Sequence, residues 1–332
     1  MKVIRERNIN GVFNIAVMNL RVTHSLIEMD SRNGKVYMFP EPVTSVYKRP
    51  NERVLFSPER NCNPFFHFIE GLWMLAGRND LETLTEFVPR MAEFSDDNVL
   101  VNGAYGYRWR TWFGRDQLKE VIQMLLANPL DRRVVLQMWD ATKDFTSDSK
   151  DVPCNTQVFF KCRPITHQDD YVLDMTVTNR SNDMIWGAYG ANVVHFSMLH
   201  EYVAAFTGYR IGHYYQVSNN AHVYDNVWSK LEPKLPQGYP VDPYEAFDLK
   251  PYRLVDDAHF FNDELTEFFN WFHNGSDYKD YRNPLFTEVA MPLVEAWWLH
   301  KGGLNVEAIS VAKRIQAEDW RKACVEWIER KI

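Results

Sequence analysis

The sequence has few cysteines and no long apolar run. The four cysteines, at 62, 154, 162 and 324, form no C-x-x-C pair and no paired His/Cys spacing, which argues against a bound metal. Residues 1–7 lack the apolar core of a signal peptide, and no apolar stretch is long enough to span a membrane. We therefore expect a soluble, cytoplasmic protein with free thiols and no membrane contact.

The sequence also has no excess of basic residues. Lysine and arginine total 37, against 44 aspartates and glutamates, which gives a formal net charge of −7. Proteins that bind duplexes normally present a basic face, so direct nucleic-acid binding is not expected. A small anionic ligand is compatible with this charge if a few arginines gather at one place.

The chain does contain enough apolar and aromatic residues for a large core. Of its 332 residues, 45% are hydrophobic and 14% aromatic, so it can fold without disulfides or metal ions. Helices and strands are mixed without regular βαβ alternation. This pattern predicts an α+β fold, with a mixed sheet packed by helices.

The predicted elements fall into two regions. Before residue 255 the patterns predict helices over 64–77, 117–128 and 191–207 and strands over 133–139, 157–162 and 171–178. From about residue 256, consecutive helices end at Gly or Asn-Gly stops. We therefore predict a catalytic domain over 1–255 and a C-terminal helical extension over 256–332. The sequence leaves the role of this extension open.

One cysteine stands where the backbone is expected to be rigid. Cys154 follows Pro153, between the acidic loop 148–151 and a predicted strand. Proline fixes the local backbone and can present the thiol from a rigid element. A single cysteine before a strand is more often a small core residue, so this position alone does not establish a nucleophile.

Arginines lie near the ends of two predicted strands. Arg132 and Arg133 precede one strand, and Arg180 and Ser181 follow another. Three guanidinium groups and a hydroxyl suit a phosphate monoester, and the same charges would lower the pKa of a nearby thiol. The alternative is that these arginines are solvated or form surface ion pairs.

Two polar stretches further along could bind a base and a sugar. The glycine-rich turn 187–191 leads into Asn192, whose amide can donate and accept along one edge of a base. His222 and Tyr224 are two residues apart and could point the same way towards sugar hydroxyls. The structural alternatives are a helix cap for Asn192 and half-buried strand positions for the other two.

Seven pieces of the sequence together resemble thymidylate synthase and its close relatives, the deoxynucleotide hydroxymethylases. They occur in the family's order and approximate spacing, and an ordered set is specific where one piece would be weak. The pieces are FIEGLWMLAG (68–77), GAYGYRWRTW (103–112), DRRVVLQMWD (131–140), PCN (153–155), NRSNDMIWG (179–187), Asn192 and AHVY (221–224). The resemblance implies a thymidylate-synthase-like sheet and a homodimer.

The resemblance implies roles for the substrate-binding residues. Cys154 matches the nucleophile that adds to C6 of a pyrimidine deoxynucleotide monophosphate, and Asn192 matches the amide that reads the N3/O4 edge of uracil. His222 and Tyr224 match ligands of the deoxyribose 3′-hydroxyl. The phosphate ligands are matched by Arg180, Ser181, Arg32 and, across the dimer interface, Arg132 and Arg133.

Further matches concern proton transfer and the folate. Glu70 matches a carboxylate that organises water for proton transfer, and Tyr105 matches a tyrosine that assists proton removal at C5. Asp183 and Gly187 match positions near the folate pterin. The implied one-carbon donor is 5,10-methylenetetrahydrofolate. Thiolate addition at C6 makes C5 nucleophilic, and the protein supplies orientation and proton handling.

The product depends on whether water reaches the reacting carbon. Hydride from the folate gives a methyl group, whereas water gives a hydroxymethyl group. The family's shielding tryptophan falls at Met91, a second one at Phe94, and the family's closing C-terminal tail is not recognisable in residues 327–332. These departures favour hydroxymethylation over the methylation of a thymidylate synthase. A role in phage DNA modification, in a host cytoplasm, would suit such an enzyme.

Two departures bear on the base. Asn155 replaces the family's histidine, and the turn before Asn192 is one residue longer, which could displace Asn192. Because an asparagine suits uracil and an aspartate would suit cytosine, we predict dUMP over dCMP. The alternatives are a dCMP hydroxymethylase or methylase, a catalytically inactive nucleotide-binding module, and a thiol hydrolase that pairs Cys154 with His167 or His222.

Overall fold

The computed structural model describes residues 1–22, 25–165, 170–275 and 280–332. Within these ranges, one mixed sheet is packed by helices, so the predicted α+β class is confirmed. The strands are β1 (Lys2–Glu6), β2 (Ile27–Ser31), β3 (Gly34–Met38), β4 (Val43–Tyr47), β5 (Val135–Gln137), β6 (Asn155–Pro164), β7 (Tyr171–Asp183) and β8 (Arg210–Tyr224).

The sheet is organised around its longest strand, β8. The order across the sheet is β1-β4-β8-β7-β6-β5, and the hairpin β2–β3 joins through β3. β8 runs parallel to β7 and antiparallel to β4 and β3. The last residues of β8 therefore lie between the hairpin and the end of β7.

The two central strands begin or end beyond their predicted limits. β6 already begins at Asn155, and β7 continues to Asp183 rather than ending near 178. The polar sequence 179–183 has no apolar alternation, but its backbone pairs with β8, with Asp183 opposite His222. In contrast, the strand predicted over 133–139 is reduced to β5. Backbone pairing thus places polar residues of two strands side by side.

Helices cover the sheet and form the C-terminal region. The α-helices are α1 (Ile9–Arg21), α2 (Pro64–Leu75), α3 (Leu81–Phe87), α4 (Tyr105–Tyr107), α5 (Gln117–Ala127), α6 (Asn192–Thr207), α7 (Asp225–Leu231), α8 (Pro243–Ala246), α9 (Ala258–Asn274), α10 (Met291–Lys301), α11 (Asn305–Ala312) and α12 (Glu318–Glu329). π-Helical segments span Arg108–Trp112, Met184–Ala191 and Phe286–Ala290, and 3₁₀ turns span Pro89–Phe94 and Glu232–Lys234. None of the helices described is both long and apolar enough to cross a membrane.

The predicted helices before residue 255 are confirmed as α2, α5 and α6. The side chain of Asn63 caps α2 by accepting from the amide of Phe66, and Pro64 occupies the first turn. α6 ends at Gly208, whose φ of 72° is the left-handed conformation that glycine adopts without strain. Gly106 packs against the carbonyl of Met74 so closely that no Cβ would fit there. This contact holds the Tyr105 segment against α2.

The segment after residue 256 is helical, as predicted, and it packs against the rest of the chain. Aromatic rings of α2 meet the C-terminal helices, with 5.6 Å between the centroids of Phe65 and Trp297 and 5.1 Å between those of Phe68 and Trp320. The aromatic run 268–272 places its phenylalanines in the same core. The division into two domains at residue 255 remains a prediction.

Candidate active site

A cleft of about 560 Å³ lies where β7 and β8 end beside the β2–β3 hairpin. Its walls also include the segment that leads into β6. The predicted site residues that line it are Arg32, Cys154, Arg180, Ser181, His222 and Tyr224. The fold thus brings together the predicted nucleophile, phosphate ligands and sugar ligands from separate parts of the sequence.

Arg180 fixes the backbone on both sides of Cys154. Its Nε donates to the carbonyl of Pro153 at 3.0 Å, and its Nη2 donates to the carbonyl of Val152 at 3.0 Å. Its amide N–H donates to the carbonyl of Cys154 at 2.9 Å. These bonds hold the start of β6 to β7, so the thiol stands on a rigid element.

The electrostatic surroundings of the thiol differ from the prediction. Cys154 is partly buried, and burial raises the pKa of its thiol above the ordinary value. Arg180 and, more weakly, Arg32 oppose this rise, whereas the carboxylates of Asp151 and Asp183 add to it. The arginines therefore act on the thiol pKa in the expected direction, but in the single chain the loss of hydration outweighs them and the net pKa is raised.

Tyr105 lies next to the nucleophile. Its ring stacks on Phe196, with 5.7 Å between the centroids, and the backbone amide of Asn155 hydrogen-bonds to it. Burial raises the pKa of Tyr105 well above its ordinary value, and the charge of Cys154 adds to the effect. Tyr105 is therefore a neutral phenol at physiological pH, which can donate or relay a proton.

Glu70 is buried and paired with a histidine that the sequence did not suggest. Nε2 of His195, on α6, lies 2.9 Å from Oε2 of Glu70, on α2. Nδ1 of His195 is also buried and has no hydrogen-bond partner among the residues described. The two residues are 125 positions apart. The sequence signal that could have revealed the pair is a histidine one helical turn after Asn192.

Asn192 belongs to a chain of buried amides. Its Nδ2 donates to Oδ1 of Asn182 at 3.1 Å, and Nδ2 of Asn182 donates to Oγ of Ser218 at 3.1 Å. Asn192 is the first residue of α6, but its side chain makes no capping hydrogen bond there. The alternative of a helix cap is therefore wrong.

The turn before Asn192 is the π-helical segment Met184–Ala191, whose backbone is non-helical at Tyr189 and Gly190. Asp183 starts this segment by accepting from the amides of Ile185 at 2.6 Å and Trp186 at 2.9 Å. Burial raises the pKa of the Asp183 carboxyl, and the two amides oppose the rise. Gly187 lies against both Asn182 and Asn192. The turn therefore leaves Asn192 in contact with the strand that carries Arg180.

Eight predicted site residues are not among those that line the cleft of their own chain: Glu70, Met91, Tyr105, Arg132, Arg133, Asp183, Gly187 and Asn192. Arg133 has a side chain 83% exposed and pairs with Asp131 at 2.6 Å, and Arg132 is exposed beside it. Met91 is partly buried against the core, whereas Phe94 of the same 3₁₀ turn lines the cleft. Arg132 and Arg133 are thus exposed where a second subunit could meet them, with Arg133 held by Asp131, and that contact stays a prediction.

A Cys-His pair for hydrolysis finds no support in the part of the chain described. His167 lies outside the described residues. Nδ1 of His222 lies 3.0 Å from Oδ1 of Asn220, and no hydrogen bond joins this histidine to Cys154 within the described ranges. The same ranges contain no group of three or more His, Cys, Asp or Glu residues arranged to hold a metal ion.

Comparison with known protein families identifies the chain. Residues 60–265 match the family model of thymidylate synthase. The match includes α2, the cleft strands and α6, which carry the residues described above. The chain belongs to the thymidylate synthase family.

Individual relatives fall into two groups. The chain is 47% identical to the deoxyuridylate hydroxymethyltransferase of Pseudomonas phage M6, over 100% of this chain and 95% of that protein. It is 38% identical to the enzyme of the same name from Bacillus phage SP01, over 63% of this chain and 56% of that protein. Thymidylate synthase of Streptococcus gordonii is 30% identical, over 60% of this chain and 69% of that protein.

Proposed function

We propose that this chain catalyses the folate-dependent 5-hydroxymethylation of dUMP, with Cys154 as the nucleophile. The observation that carries the proposal is the 47% identity to a deoxyuridylate hydroxymethyltransferase along the whole chain. The cleft supports it, because a rigidly held thiol lies among residues that suit a nucleotide. Because the M6 and SP01 relatives come from phages, we further propose a role in phage DNA modification within a host cytoplasm.

Phosphate binding is assigned to the cationic side of the cleft. Arg180, Ser181 and Arg32 line it and can donate to a phosphate monoester. Exposed Arg132 and Arg133 would complete the phosphate site of a partner subunit, so the active form is proposed to be a homodimer. This arrangement accounts for two exposed arginines that do not line the cleft of their own chain.

The sugar and base are assigned to the other end of the cleft. His222 and Tyr224 would contact the 3′-hydroxyl, since both line the cleft at the end of β8. The hydrogen bond between His222 and Asn220 fixes the orientation of the imidazole. Asn192 would then read the uracil edge, with one amide N–H and its carbonyl oxygen available for the base.

The chemistry begins with addition of the Cys154 sulfur to C6 of uracil. This addition places negative charge on C5 and O4, which makes C5 a nucleophile. Tyr105, which is hydrogen-bonded by the backbone amide of Asn155 beside Cys154, is assigned a share in removing the C5 proton later in the reaction. Glu70, held by His195, is the buried carboxylate assigned to that proton transfer. Release of the thiolate restores the aromatic ring and frees the product.

5,10-Methylenetetrahydrofolate is the proposed one-carbon donor. When bound, it supplies the carbon that becomes the new substituent at C5. The residues at the start of the π-helical segment suit a pterin. Oδ1 of Asp183 accepts two backbone amides, which leaves the second carboxylate oxygen for the N–H groups of a pterin edge. Gly187, the other matched residue, lies against the amides of Asn182 and Asn192, where a side chain would crowd both.

Hydroxymethylation rather than methylation is proposed because the shielding aromatic residues are replaced. Met91 and Phe94 stand where the synthases are expected to carry tryptophan, so water has better access to the reacting carbon. The similarity to the streptococcal thymidylate synthase keeps methylation as the second candidate.

Product analysis tests the proposal. Enzyme, dUMP and methylenetetrahydrofolate are expected to give 5-hydroxymethyl-dUMP and tetrahydrofolate, identified by mass spectrometry. Formation of dTMP with dihydrofolate would establish the second candidate instead. The matched control is Cys154→Ser, which is expected to bind dUMP but to give no product. Turnover that survives this substitution would refute the nucleophile, and faster turnover of dCMP would refute the assignment of the base.

A further inference from the structure

We propose that Asn182 determines base specificity by fixing the orientation of the Asn192 carboxamide. This inference rests on the proposed function, because it concerns how the site distinguishes uracil from cytosine. Asn182 is not proposed to contact the substrate. It acts through Asn192 and is therefore a positioning residue.

The geometry is a relay of two hydrogen bonds between three elements. Nδ2 of Asn192, on α6, donates to Oδ1 of Asn182, on β7, at 3.1 Å. Nδ2 of Asn182 then donates to Oγ of Ser218, on β8, at 3.1 Å. Asn182 is 2% exposed and Ser218 is 4% exposed, so water does not readily replace either partner. The orientation of each amide is therefore tied to that of the next group.

The space around the relay is restricted. A Cβ on Gly187 would lie 2.8 Å from Oδ1 of Asn182 and 3.3 Å from Nδ2 of Asn192. Glycine at this position allows the two amides to meet directly. The π-helical segment thus contributes a gap in which the hydrogen bond between Asn182 and Asn192 fits.

The chemistry of the two bases explains why this orientation matters. Uracil presents an N3–H donor beside the O4 acceptor, whereas cytosine presents an N3 acceptor beside an amino donor. A carboxamide complements one base in one orientation and the other base after a half-turn. A half-turn of Asn192 alone would place its carbonyl oxygen against Oδ1 of Asn182. Because the Ser218 hydroxyl can donate as well as accept, the half-turn requires both amides and this hydroxyl to reverse together. The relay therefore resists a half-turn of Asn192 alone and favours the base that suits the orientation shown.

The test compares kcat/KM for dUMP and dCMP in Asn182→Ala and in a matched control. Without Asn182, the Asn192 amide is free to turn, so the preference for dUMP is expected to fall by about tenfold or more, the cost of one mismatched buried hydrogen bond. The control is Asn179→Ala. Asn179 is a buried asparagine on the same strand, and its Nδ2 donates to the carbonyl of Val217 at 3.2 Å. That variant can lose activity but is expected to keep the dUMP/dCMP ratio.

Each outcome is decisive. An unchanged ratio in folded Asn182→Ala, or an equal change in Asn179→Ala, overturns the role of Asn182. If Asn182→Ala does not fold, Ser218→Ala removes only the acceptor behind Asn182, and its ratio is expected to shift in the same direction. An unchanged ratio there also overturns the proposal. Wild-type enzyme that acts on neither nucleotide would instead contradict the proposed function, and the two failures are therefore distinguishable.

Discussion

Nε2 of His195 lies 2.9 Å from Oε2 of Glu70, and both side chains are buried between α2 and α6. Nearby His67 is partly buried, and the loss of hydration, with the charges of Arg60 and His195, lowers its pKa to about 3. His67 is therefore neutral at physiological pH. Among the residues described, the hydrogen bond from His195 is the one direct side-chain contact of Glu70, the carboxylate assigned to proton transfer.

We expect His195→Leu to reduce kcat more than KM, because Glu70 would lose the group that positions it. The unfolding free energy is expected to fall by about 1–3 kcal/mol, since a buried carboxylate loses its partner. The matched control is His200→Leu on the same helix, where Nε2 lies 2.6 Å from the carbonyl of Leu173. Steady-state kinetics and denaturant unfolding of both variants provide the comparison. Equal losses of kcat in the two variants would show that His195 is only structural.

Arg108 and Asp144 form a fully buried, bidentate ion pair, with distances of 2.7 and 2.9 Å. Asp144→Asn leaves the guanidinium charge without its counter-ion and is expected to lower the unfolding free energy by about 3–5 kcal/mol. Glu93→Gln breaks the exposed pair with Arg90 and is expected to cost less than about 0.5 kcal/mol. Urea denaturation measures both. Similar losses of unfolding free energy in the two variants would contradict the claim that burial makes the Arg108–Asp144 pair the more important of the two.

The raised pKa of the Cys154 thiol predicts slow alkylation of the free enzyme at neutral pH. The rate is expected to increase with pH and to level off only above the ordinary thiol range. Arg180→Gln removes the strongest opposing charge and should move this inflection higher, whereas Arg180→Lys keeps a cation and should move it less. Mass spectrometry of iodoacetamide adducts at Cys154 measures the rate. An inflection below the ordinary thiol range in the wild type would refute the prediction.

Asp319 lies in the first turn of α12 with its side chain buried, and Tyr244 donates to its carboxylate at 2.9 Å. Burial raises the pKa of this carboxyl from 3.8 to about 6, so the folded state holds its proton more tightly than the unfolded chain does. Its contribution to stability is therefore complete below pH 3.8 and is lost as the pH rises through 6.

The Asp319→Asn variant is expected to lack this pH dependence. Relative to the wild type, its unfolding free energy should rise between pH 4 and pH 7 by up to roughly 3 kcal/mol. Glu318→Gln, at the exposed neighbouring position, serves as the control and should parallel the wild type. Thermal unfolding at several pH values measures the difference. Parallel curves for Asp319→Asn and the wild type would disprove the linkage.

The sequence identified the cleft residues better than their interactions. Cys154, Arg180 and His222 could be predicted because ordered motifs carry them, and the structure places all three in one cleft. The raised thiol pKa could not be predicted, because it depends on how much water packing removes. His195 escaped notice for a similar reason, since its partner is distant in sequence and close only after α2 and α6 pack together.

In the fold, too, local features could be predicted from the sequence and distant pairings could not. Periodicity and end signals located α2, α5 and α6, because their caps and apolar faces are local features. The polar end of β7 was not predicted as a strand, because only pairing with β8 keeps it extended. Non-local backbone pairing leaves no pattern within a short stretch of sequence.

The π-helical segment Met184–Ala191 allows the loop length to vary without disturbing the residues that follow. The amide of Asn192 donates to the carbonyl of Gly187, one residue further back than in an α-helix, and the backbone is non-helical at Tyr189 and Gly190. An inserted residue can therefore be taken up before Asn192 without moving this residue away from β7. The fold can then tolerate the insertion of one residue in this segment without a second, compensating change. Natural or engineered variants of this enzyme could therefore change the segment's side chains, or even its length, while the start of α6 keeps its register.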